Sequence, residues 1–221
     1  MKIATWNLER LKKGKNGLIL EKLHDIDAEI CVLTETSSAI QLENYVCIAT
    51  ELLPADFDGV KYKAGENRVS IWTKYKASTR HETFDKYTTV CTDLDTPFGL
   101  LTVYGTIIGV FANRQPRFDN DLDGQLADFD RLFPGKQCCI AGDFNTTFSG
   151  RVYPSHKARN SLKTALQELG LTNTTAPVEA NVDHIVLSGA FLVGKKRTVE
   201  VWNTDKALSD HIGLCLTLTA E

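Results

Sequence analysis

Hydrophobic and polar residues follow two spacings along this chain. Apolar residues recur every three or four positions in three segments, which predicts helices over about residues 17–26, 121–133 and 160–169. Short apolar runs predict strands over about residues 2–7, 29–34, 45–50, 68–74, 87–93, 100–108, 137–141, 182–187, 190–193, 198–202 and 212–218. This mixture of hairpins and strand–helix–strand units predicts mixed β-sheets covered by helices.

The connecting segments predict a single domain over residues 1–221. Polar residues, glycine and proline predict loops over about residues 51–65, 109–120 and 151–157. No linker rich in Pro, Gly or Ser and no break in composition divides the chain. We expect a monomer as the default state.

The charge distribution excludes a strongly basic nucleic-acid binder. The formal net charge is -3, so there is no general attraction to phosphate backbones. A local basic cluster, Arg10, Lys12, Lys13 and Lys15, follows the first predicted strand, and residues 195–197 form another. The first cluster either contacts a phosphate or forms a solvated loop.

The cysteine pattern favours a reducing compartment. The six cysteines form no Cys-x-x-Cys pair and no metal-finger spacing, and most lie inside apolar runs. The N-terminus enters a predicted strand without an apolar signal core, and no apolar stretch is long enough to span a bilayer. We therefore expect a soluble cytoplasmic protein with no membrane insertion.

Candidate chemistry starts at Gly142-Asp143-Phe144-Asn145, which follows an apolar run. On a strand, Asp143 and Asn145 would face the same way, and Gly142 would let a ligand or a backbone come close. This pair could hold a water and a phosphate oxygen. It could equally be an ordinary Asp-Asn turn.

Other predicted strands also end in polar residues: Asn7, Glu35, Tyr104 to Thr106, Asp183-His184 and Asp210-His211. This ordered set, from Thr5 to His211, resembles the endonuclease/exonuclease/phosphatase superfamily of metal-dependent phosphoesterases. The resemblance implies an α/β fold, a four-layer sandwich in which two packed mixed β-sheets are flanked by helices.

The resemblance also implies a site and a cofactor, Mg²⁺ or Mn²⁺. Glu35 would bind the metal, Asp210 would lie near it, and Glu9 occupies a position where some relatives carry a second acidic ligand. Asp143 would act as general base, Asn145 would stabilise phosphate oxygens, and Asn7 would orient its neighbours. His211 would donate to the phosphoryl oxygen with Asp183 orienting it, and Tyr104 and Arg68 would contact substrate.

Several of these assignments have alternatives. Glu9 could be a salt-bridge partner of the adjacent lysines, Tyr104 a core aromatic, and Arg68 a surface residue. Of the two Asp-His pairs, the resemblance assigns the catalytic role to the second, at His211.

The function implied is metal-assisted hydrolysis of phosphodiester bonds, with nucleic acid as the favoured substrate. A small phosphorylated molecule, a lipid headgroup or a protein-linked nucleotide is the alternative within the same chemistry. A non-catalytic binding relative is the alternative from another class. The chain has no Gly-x-Ser-x-Gly elbow, no His-Glu-x-x-His and no Gly-rich phosphate loop. It is also short for the inserted loops of a dedicated abasic-site enzyme.

Overall fold

The computed structural model describes residues 1–110 and 115–220. In the order of the chain, the strands are β1 (Lys2–Asn7), β2 (Ile30–Ser37), β3 (Val46–Ala49), β4 (Asp56–Phe57), β5 (Val60–Lys61), β6 (Glu66–Thr73), β7 (Lys76–His81), β8 (Thr89–Thr96), β9 (Gly99–Ile107), β10 (Cys138–Asp143), β11 (Leu171–Asn173), β12 (Asp183–Ser188), β13 (Lys195–Trp202) and β14 (Gly213–Ala220). The helices are α1 (Asn16–Ile26), α2 (Arg117–Leu132), α3 (His156–Glu168) and a single turn, α4 (Gly189–Leu192).

The larger strands form two six-stranded mixed sheets. Sheet 1 has the order β13-β14-β1-β2-β6-β3, and sheet 2 has the order β11-β12-β10-β9-β8-β7. Each sheet contains one parallel pair, β1 with β2 and β9 with β10, while its other pairs are antiparallel. Strands β4 and β5 form a separate small hairpin. The carboxyl ends of β1, β2 and β10 come to the same edge of the sandwich, where the candidate polar residues lie.

Three hydrophobic clusters hold four layers together. Alternate residues of both sheets, such as Ile3, Val32, Val103 and Ala141, form the cluster between the sheets. The opposite face of sheet 1 packs on the buried stripe of α1. The opposite face of sheet 2 packs on α2 and α3. The order helix, sheet, sheet, helix confirms the four-layer sandwich, and no helix of the described chain is both long and apolar enough to cross a bilayer.

Several predicted elements differ from the observed ones. The run at 190–193 was predicted as a strand, but most of it forms the helical turn α4, in which Phe191 and Leu192 are buried. A run of four apolar residues does not distinguish a strand from a buried helical turn. Helix α2 begins at Arg117, inside the predicted loop 109–120, and residues 111–114 of that loop lie outside the described ranges. Helix α3 begins at His156, four residues before its predicted start.

Three strand pairings in the structure have no counterpart among the strands predicted from the sequence, for a common reason. Strand β7 is a largely exposed edge strand with no apolar alternation, strand β11 has three residues, and the β4–β5 hairpin lies inside the predicted loop 51–65. Pairing with a neighbour, rather than an intrinsic pattern, makes such segments extended.

Two glycines allow the close approaches that set the geometry of the site. A Cβ at Gly105 would come within 2.9 Å of Val69 Cγ1 in the opposite sheet, so this position sets how closely the sheets pack. Gly142 has φ +138°, and a Cβ there would overlap the carbonyl oxygen of Thr106 on the adjacent strand. Only glycine combines this backbone conformation with this pairing. The strand that carries Asp143 therefore depends on Gly142.

We expect Gly142→Ala to lower the free energy of unfolding by about 3 kcal/mol or more, because the methyl group meets backbone and the φ angle is strained. The matched control is Gly17→Ala, at an exposed helical position with no atom within 4 Å of the added Cβ. The control should stabilise the protein by roughly 0.5–1 kcal/mol. Urea unfolding of both variants measures the difference, and equal stabilities would contradict this account of Gly142.

Candidate active site

A cleft of about 560 Å³ opens where the strand ends meet. Eight of the ten predicted site residues line it: Asn7, Glu9, Glu35, Arg68, Asp143, Asn145, Asp210 and His211. Asp183 lies directly behind His211, and Tyr104 is elsewhere. The structure thus brings together residues separated by up to 204 positions (His211 and Asn7).

Strand alternation explains why the acidic residues converge. Cys139 and Ala141 of β10 face the opposite sheet, so Asp143, two residues further on, shares that face. Asp183 shares a face with Ile185 on β12 for the same reason. The two strands pair with Asp143 opposite Asp183, which places their carboxylates side by side in the interior.

Asp143 is held by donors from both sheets. Its Oδ2 accepts a 3.0 Å hydrogen bond from Asn7 Nδ2, and its Oδ1 accepts a 2.9 Å bond from the backbone N–H of Asn145. The Asn145 amide, in turn, donates to the carbonyls of Ile108 and Gly109, each at 3.0 Å. These bonds fix the carboxylate, and they occupy the Asn145 amide nitrogen.

The surroundings of Asp143 keep its proton affinity unusually high. Burial, followed by the charge of Asp183, raises the pKa of Asp143 to about 7, while His211 and the Asn145 N–H oppose the rise. A carboxyl group with a pKa near neutrality can both accept and release a proton at physiological pH.

Asp183 and His211 form an ion pair inside the protein. His211 Nδ1 donates to Asp183 Oδ2 at 2.6 Å, while Asp183 Oδ1 is buried without a hydrogen-bond partner among the described residues. Burial of the imidazole would lower its pKa, but Asp183 and then Asp143 and Asp210 outweigh this and raise the pKa of His211 to about 10. The imidazole is therefore protonated at neutral pH, and its Nε2–H remains for the cleft.

A set of backbone contacts holds the segment that carries His211. Ser209 Oγ donates to the Asn7 carbonyl at 2.6 Å and accepts from the His211 N–H at 3.2 Å. Trp6 Nε1 donates to the His211 carbonyl at 3.1 Å. Ser209 is fully buried, and sequence reasoning missed this positioning contact, since a serine before Asp-His carries no signal of its own.

Glu35 reaches the cleft through an unusual backbone conformation. Leu33 faces the α1 layer, so strict alternation would direct Glu35 there as well. The left-handed φ of +45° at Glu35 breaks the alternation, and its side chain lines the cleft instead. Burial raises the pKa of Glu35, while Lys12 and His211 oppose the rise. Within residues 1–110 and 115–220 its carboxylate makes no hydrogen bond or salt bridge.

Two sets of side chains could hold a divalent cation. In the first, Asp143, Asp183 and His211 offer ligand atoms within 4.8 Å of one another. Their imidazole, however, is protonated and paired with Asp183, which opposes a cation.

The second set is Glu35, Glu9 and Asp210, all on the cleft, with the Asp210 N–H donating to Glu9 Oε2 at 3.0 Å. Mg²⁺ prefers one or two carboxylates and keeps several waters. Glu35, whose carboxylate makes no hydrogen bond or salt bridge within the described residues, fits Mg²⁺ better than the first set, in which the charge of the imidazole opposes a cation. Glu9 also lies 3.8 Å from Lys13 Nζ, so both interpretations of Glu9 find support.

The opposite wall of the cleft is cationic. Arg68, only 3% exposed, donates to Asp58 and to the Tyr62 hydroxyl, both at 3.2 Å. Arg10 pairs with Glu66 at 2.7 Å and stacks 4.4 Å from the Tyr62 ring centre. From the predicted basic cluster, Arg10 and Lys12 line the cleft.

The other basic side chains near the predicted site bond elsewhere. Lys13 and Lys15 bond to the carbonyls of residues 206 and 207. After the Asp143 loop, Lys157 pairs with Asp119 on α2. Within residues 1–110 and 115–220, the basic side chains that line the cleft are therefore Arg10, Lys12 and Arg68.

The prediction that Tyr104 contacts substrate is wrong. Val103 and Gly105 of β9 face the other sheet, so Tyr104 faces the helices, where it is fully buried and donates to Asp128 at 2.8 Å. The alternative, a core aromatic, is what the structure shows.

The first Asp-His pair is split between two layers by the same alternation. Asp183 faces the interior between the sheets, whereas His184 faces the helices and is fully buried. Its Nε2 donates to the Thr146 carbonyl at 2.9 Å, and its Nδ1 accepts from the Thr175 hydroxyl at 3.2 Å. His184 is thus a structural residue, and His211 is the one at the cleft.

Comparison with known proteins identifies the family of the chain. The profile of the Endonuclease/Exonuclease/phosphatase family matches residues 4–211. A comparison with curated protein sequences gives no significant match.

Solved structures share the fold at low identity. The 3'-5' exonuclease NExo from Neisseria meningitidis aligns with a TM-score of 0.71 at 18% identity, covering 98% of this chain and 99% of that one. An AP endonuclease from Archaeoglobus fulgidus aligns at 0.68 and 13%, covering 100% of both chains. A protein from Beutenbergia cavernae, described as an endonuclease/exonuclease/phosphatase, aligns at 0.72 and 15%, covering 100% of this chain and 71% of that one.

We expect the His211 imidazole to keep its proton to about pH 10 in the metal-free protein, since its ion pair with Asp183 stabilises the charge. In Asp183→Asn the same imidazole should titrate at a much lower pH. NMR titration of the ring protons measures both values. A wild-type His211 that titrates near 6.5, the ordinary value, would contradict the ion pair.

Protonation of His184 should destabilise the fold in acid. Burial lowers the pKa of His184 to about 4, against about 6.5 when unfolded, so between these values the unfolded state binds the extra proton. Its contribution is complete above about pH 6.5 and falls by ~3 kcal/mol as the pH drops through 4.

Urea unfolding at pH 4 to 7 should therefore show a weaker pH dependence for His184→Leu than for the wild type, whatever their absolute stabilities. His156→Gln, at an exposed position, is the matched control and should leave the wild-type dependence unchanged. An equally steep dependence in His184→Leu would show that other groups govern acid stability.

Proposed function

Because the chain belongs to the Endonuclease/Exonuclease/phosphatase family, we propose that it is a divalent-metal-dependent phosphodiesterase that cleaves nucleic acid. The observation that carries this proposal is the convergence of Glu35, Asp143 and the Asp183–His211 pair on one cleft. The structural neighbours include a 3'-5' exonuclease, AP endonucleases and a 3' phosphatase bound to a product DNA hairpin. These support a nucleic-acid substrate.

Asp143 is the proposed general base. Attack on a phosphodiester needs a water that loses its proton as the new P–O bond forms. Asp143 lines the cleft, is held by Asn7 and Asn145, and has a pKa raised to about 7, so it can accept that proton near neutrality. The fixed hydrogen bonds orient the carboxylate before substrate arrives.

His211 is the proposed donor to the phosphoryl oxygen. Its Nδ1–H is committed to Asp183, which leaves the Nε2–H of a cationic ring on the cleft side. Such a donor stabilises negative charge that grows on the oxygen as the water attacks. Asp183 acts through His211 by fixing the tautomer and the charge.

Glu35, with Glu9 and Asp210, would hold Mg²⁺ or Mn²⁺ in the cleft. The bound ion supplies charge neutralisation at the phosphate and at the departing oxygen. Arg68 on the opposite wall, with Arg10 and Lys12, would anchor neighbouring phosphates of the substrate. Asn145 contributes by holding Asp143 and the ends of β9 and β10 together.

We expect Glu35→Gln, Asp143→Asn and His211→Ala each to lower kcat/KM for oligonucleotide hydrolysis at least ~100-fold, because each removes acid–base or electrostatic stabilisation of the transition state. EDTA should abolish hydrolysis, and Mg²⁺ or Mn²⁺ should restore it. The measurement is gel-resolved cleavage of labelled DNA and RNA strands.

Asp130→Asn, an exposed carboxylate on α2 outside the cleft, is the control and should retain wild-type activity. Circular dichroism of every variant checks that the fold is intact. Cleavage at the wild-type rate by all three cleft variants would contradict the proposed function.

A further inference from the structure

Two of the residues that line the cleft belong to a long loop. Residues 203–212 join β13 to β14, and this segment contains Asp210 and His211. Loops are generally more mobile than the elements that they connect. The His211 imidazole nevertheless lies 2.6 Å from Asp183 of β12, so other contacts must hold the loop in place.

Asn203, the first residue of this loop, bonds to three of its backbone groups through its side chain. Its Oδ1 accepts from the Leu208 N–H at 2.9 Å. Its Nδ2 donates to the Ser209 carbonyl at 2.9 Å and to the His211 carbonyl at 2.6 Å. The Asn203 carbonyl also accepts from the Lys206 N–H at 2.9 Å. One residue thus ties the start of the loop to the backbone of His211.

An asparagine suits this position for two reasons. Its amide carries one acceptor and two donors, and the loop uses both kinds of group. A carboxylate of the same size could keep the bond from the Leu208 N–H, but it would face two carbonyl oxygens with no proton to donate. Asn203 also has a left-handed φ of +54°, a conformation that asparagine adopts more readily than most other residues.

The point from which Asn203 acts is fixed by the hydrophobic core. Trp202, the last residue of β13, is buried and packs edge-on against Trp6, with ring centres 5.7 Å apart. A Cβ at Gly213, the first residue of β14, would overlap the Trp202 ring. Trp6 Nε1 also donates to the His211 carbonyl at 3.1 Å, so this oxygen accepts bonds from both Trp6 and Asn203.

We propose that Asn203 is a positioning residue for the proposed reaction: through the loop backbone it keeps the His211 imidazole against Asp183, with the Nε2–H on the side of the cleft. This inference rests on the proposed function. Asn203 is not among the described residues that line the cleft, so it acts through His211 and not on the substrate. Displacing a catalytic group by about 1 Å can lower a rate ~100-fold.

Asn203→Asp and Asn203→Gly test this role, because both replacements tolerate the left-handed backbone. Aspartate keeps the size of the side chain without its donors, and glycine removes the side chain without adding a charge. Each variant should lower kcat for oligonucleotide hydrolysis at least ~10-fold. KM should stay within about twofold, because Arg10, Lys12 and Arg68 still line the cleft.

Proton NMR of the metal-free protein gives a readout that needs no activity. A proton in a short hydrogen bond between an imidazolium and a carboxylate resonates far downfield, and the Nδ1–H of His211 should give such a signal in the wild type. His211→Ala identifies the signal by its loss. In Asn203→Asp and Asn203→Gly the signal should weaken or move upfield, because the bond to Asp183 lengthens when the loop shifts.

Asn44→Asp and Asn44→Gly are the matched controls. Asn44 has a similar left-handed conformation, with φ +64°, but it is exposed and does not line the cleft. Both controls should keep the wild-type kcat and the wild-type His211 signal, which separates the role of Asn203 from the effect of an added charge or glycine. Circular dichroism and urea unfolding check that every variant is folded.

Four outcomes would overturn the inference. The first is a His211 signal in both Asn203 variants equal to that of the wild type, and the second is a wild type without the downfield signal. The third is a loss of activity that comes from KM alone. The fourth is loss of the fold in both variants, which would show a structural role only.

Failure of the proposed function would look different. The wild type would then hydrolyse no oligonucleotide with Mg²⁺ or Mn²⁺. The NMR signal would still show whether Asn203 holds His211 against Asp183.

Discussion

The candidate site depends on one electrostatic arrangement, in which the positive charge of one imidazolium stabilises two buried carboxylates. Asp143 and Asp183 lie opposite each other on paired strands, and the charge of Asp183 raises the pKa of Asp143. In a low-dielectric interior such a pair is costly without a nearby cation. His211 supplies that cation at 2.6 Å from Asp183. The contact with Asp183 raises the pKa of the imidazole, and the charge of His211 limits the rise in the pKa of Asp143. The stability of the carboxylate pair and its acid–base properties therefore have one cause.

That arrangement is possible because the sandwich brings strand ends from both sheets to one edge. Asn7 comes from sheet 1 and Asp143 from sheet 2, yet they share a buried 3.0 Å hydrogen bond. Gly105 lets the sheets approach, and Gly142 lets β10 lie against β9 directly before Asp143. Glu35 and Asn145, both with positive φ, lie at this edge. Strained residues that persist in a well-packed structure typically mark functional positions.

Much of this could be predicted from the sequence, and the reasons for the failures are physical. Polar residues next to apolar runs pointed to Asp143, Asp183 and His211. Asp143 ends β10, whereas Asp183 begins β12 and His211 precedes β14, and antiparallel pairing brings these strand starts to the edge where β1 and β10 end. Alternation along β9 separates Tyr104 from its neighbours, but a single strand does not reveal which face meets the other sheet, so Tyr104 was misplaced. For Glu35, strand alternation predicts the wrong face of the sheet, because Glu35 itself has a left-handed backbone conformation that interrupts the alternation.

Loops and the short hairpin help to position side chains along the cleft through long-range contacts. Tyr153 lines the cleft from a turn that Thr147 and Arg159 of α3 hold by hydrogen bonds, and local sequence pattern relates neither residue to a cleft. Arg68 is steered by Asp58 of the β4–β5 hairpin, and Arg117 of α2 donates to that same carboxylate at 3.2 Å. The sheets therefore determine where the chemistry occurs, through register and alternation. The loops determine what reaches it, and because their anchors are scattered in sequence, they can change with little effect on the catalytic core.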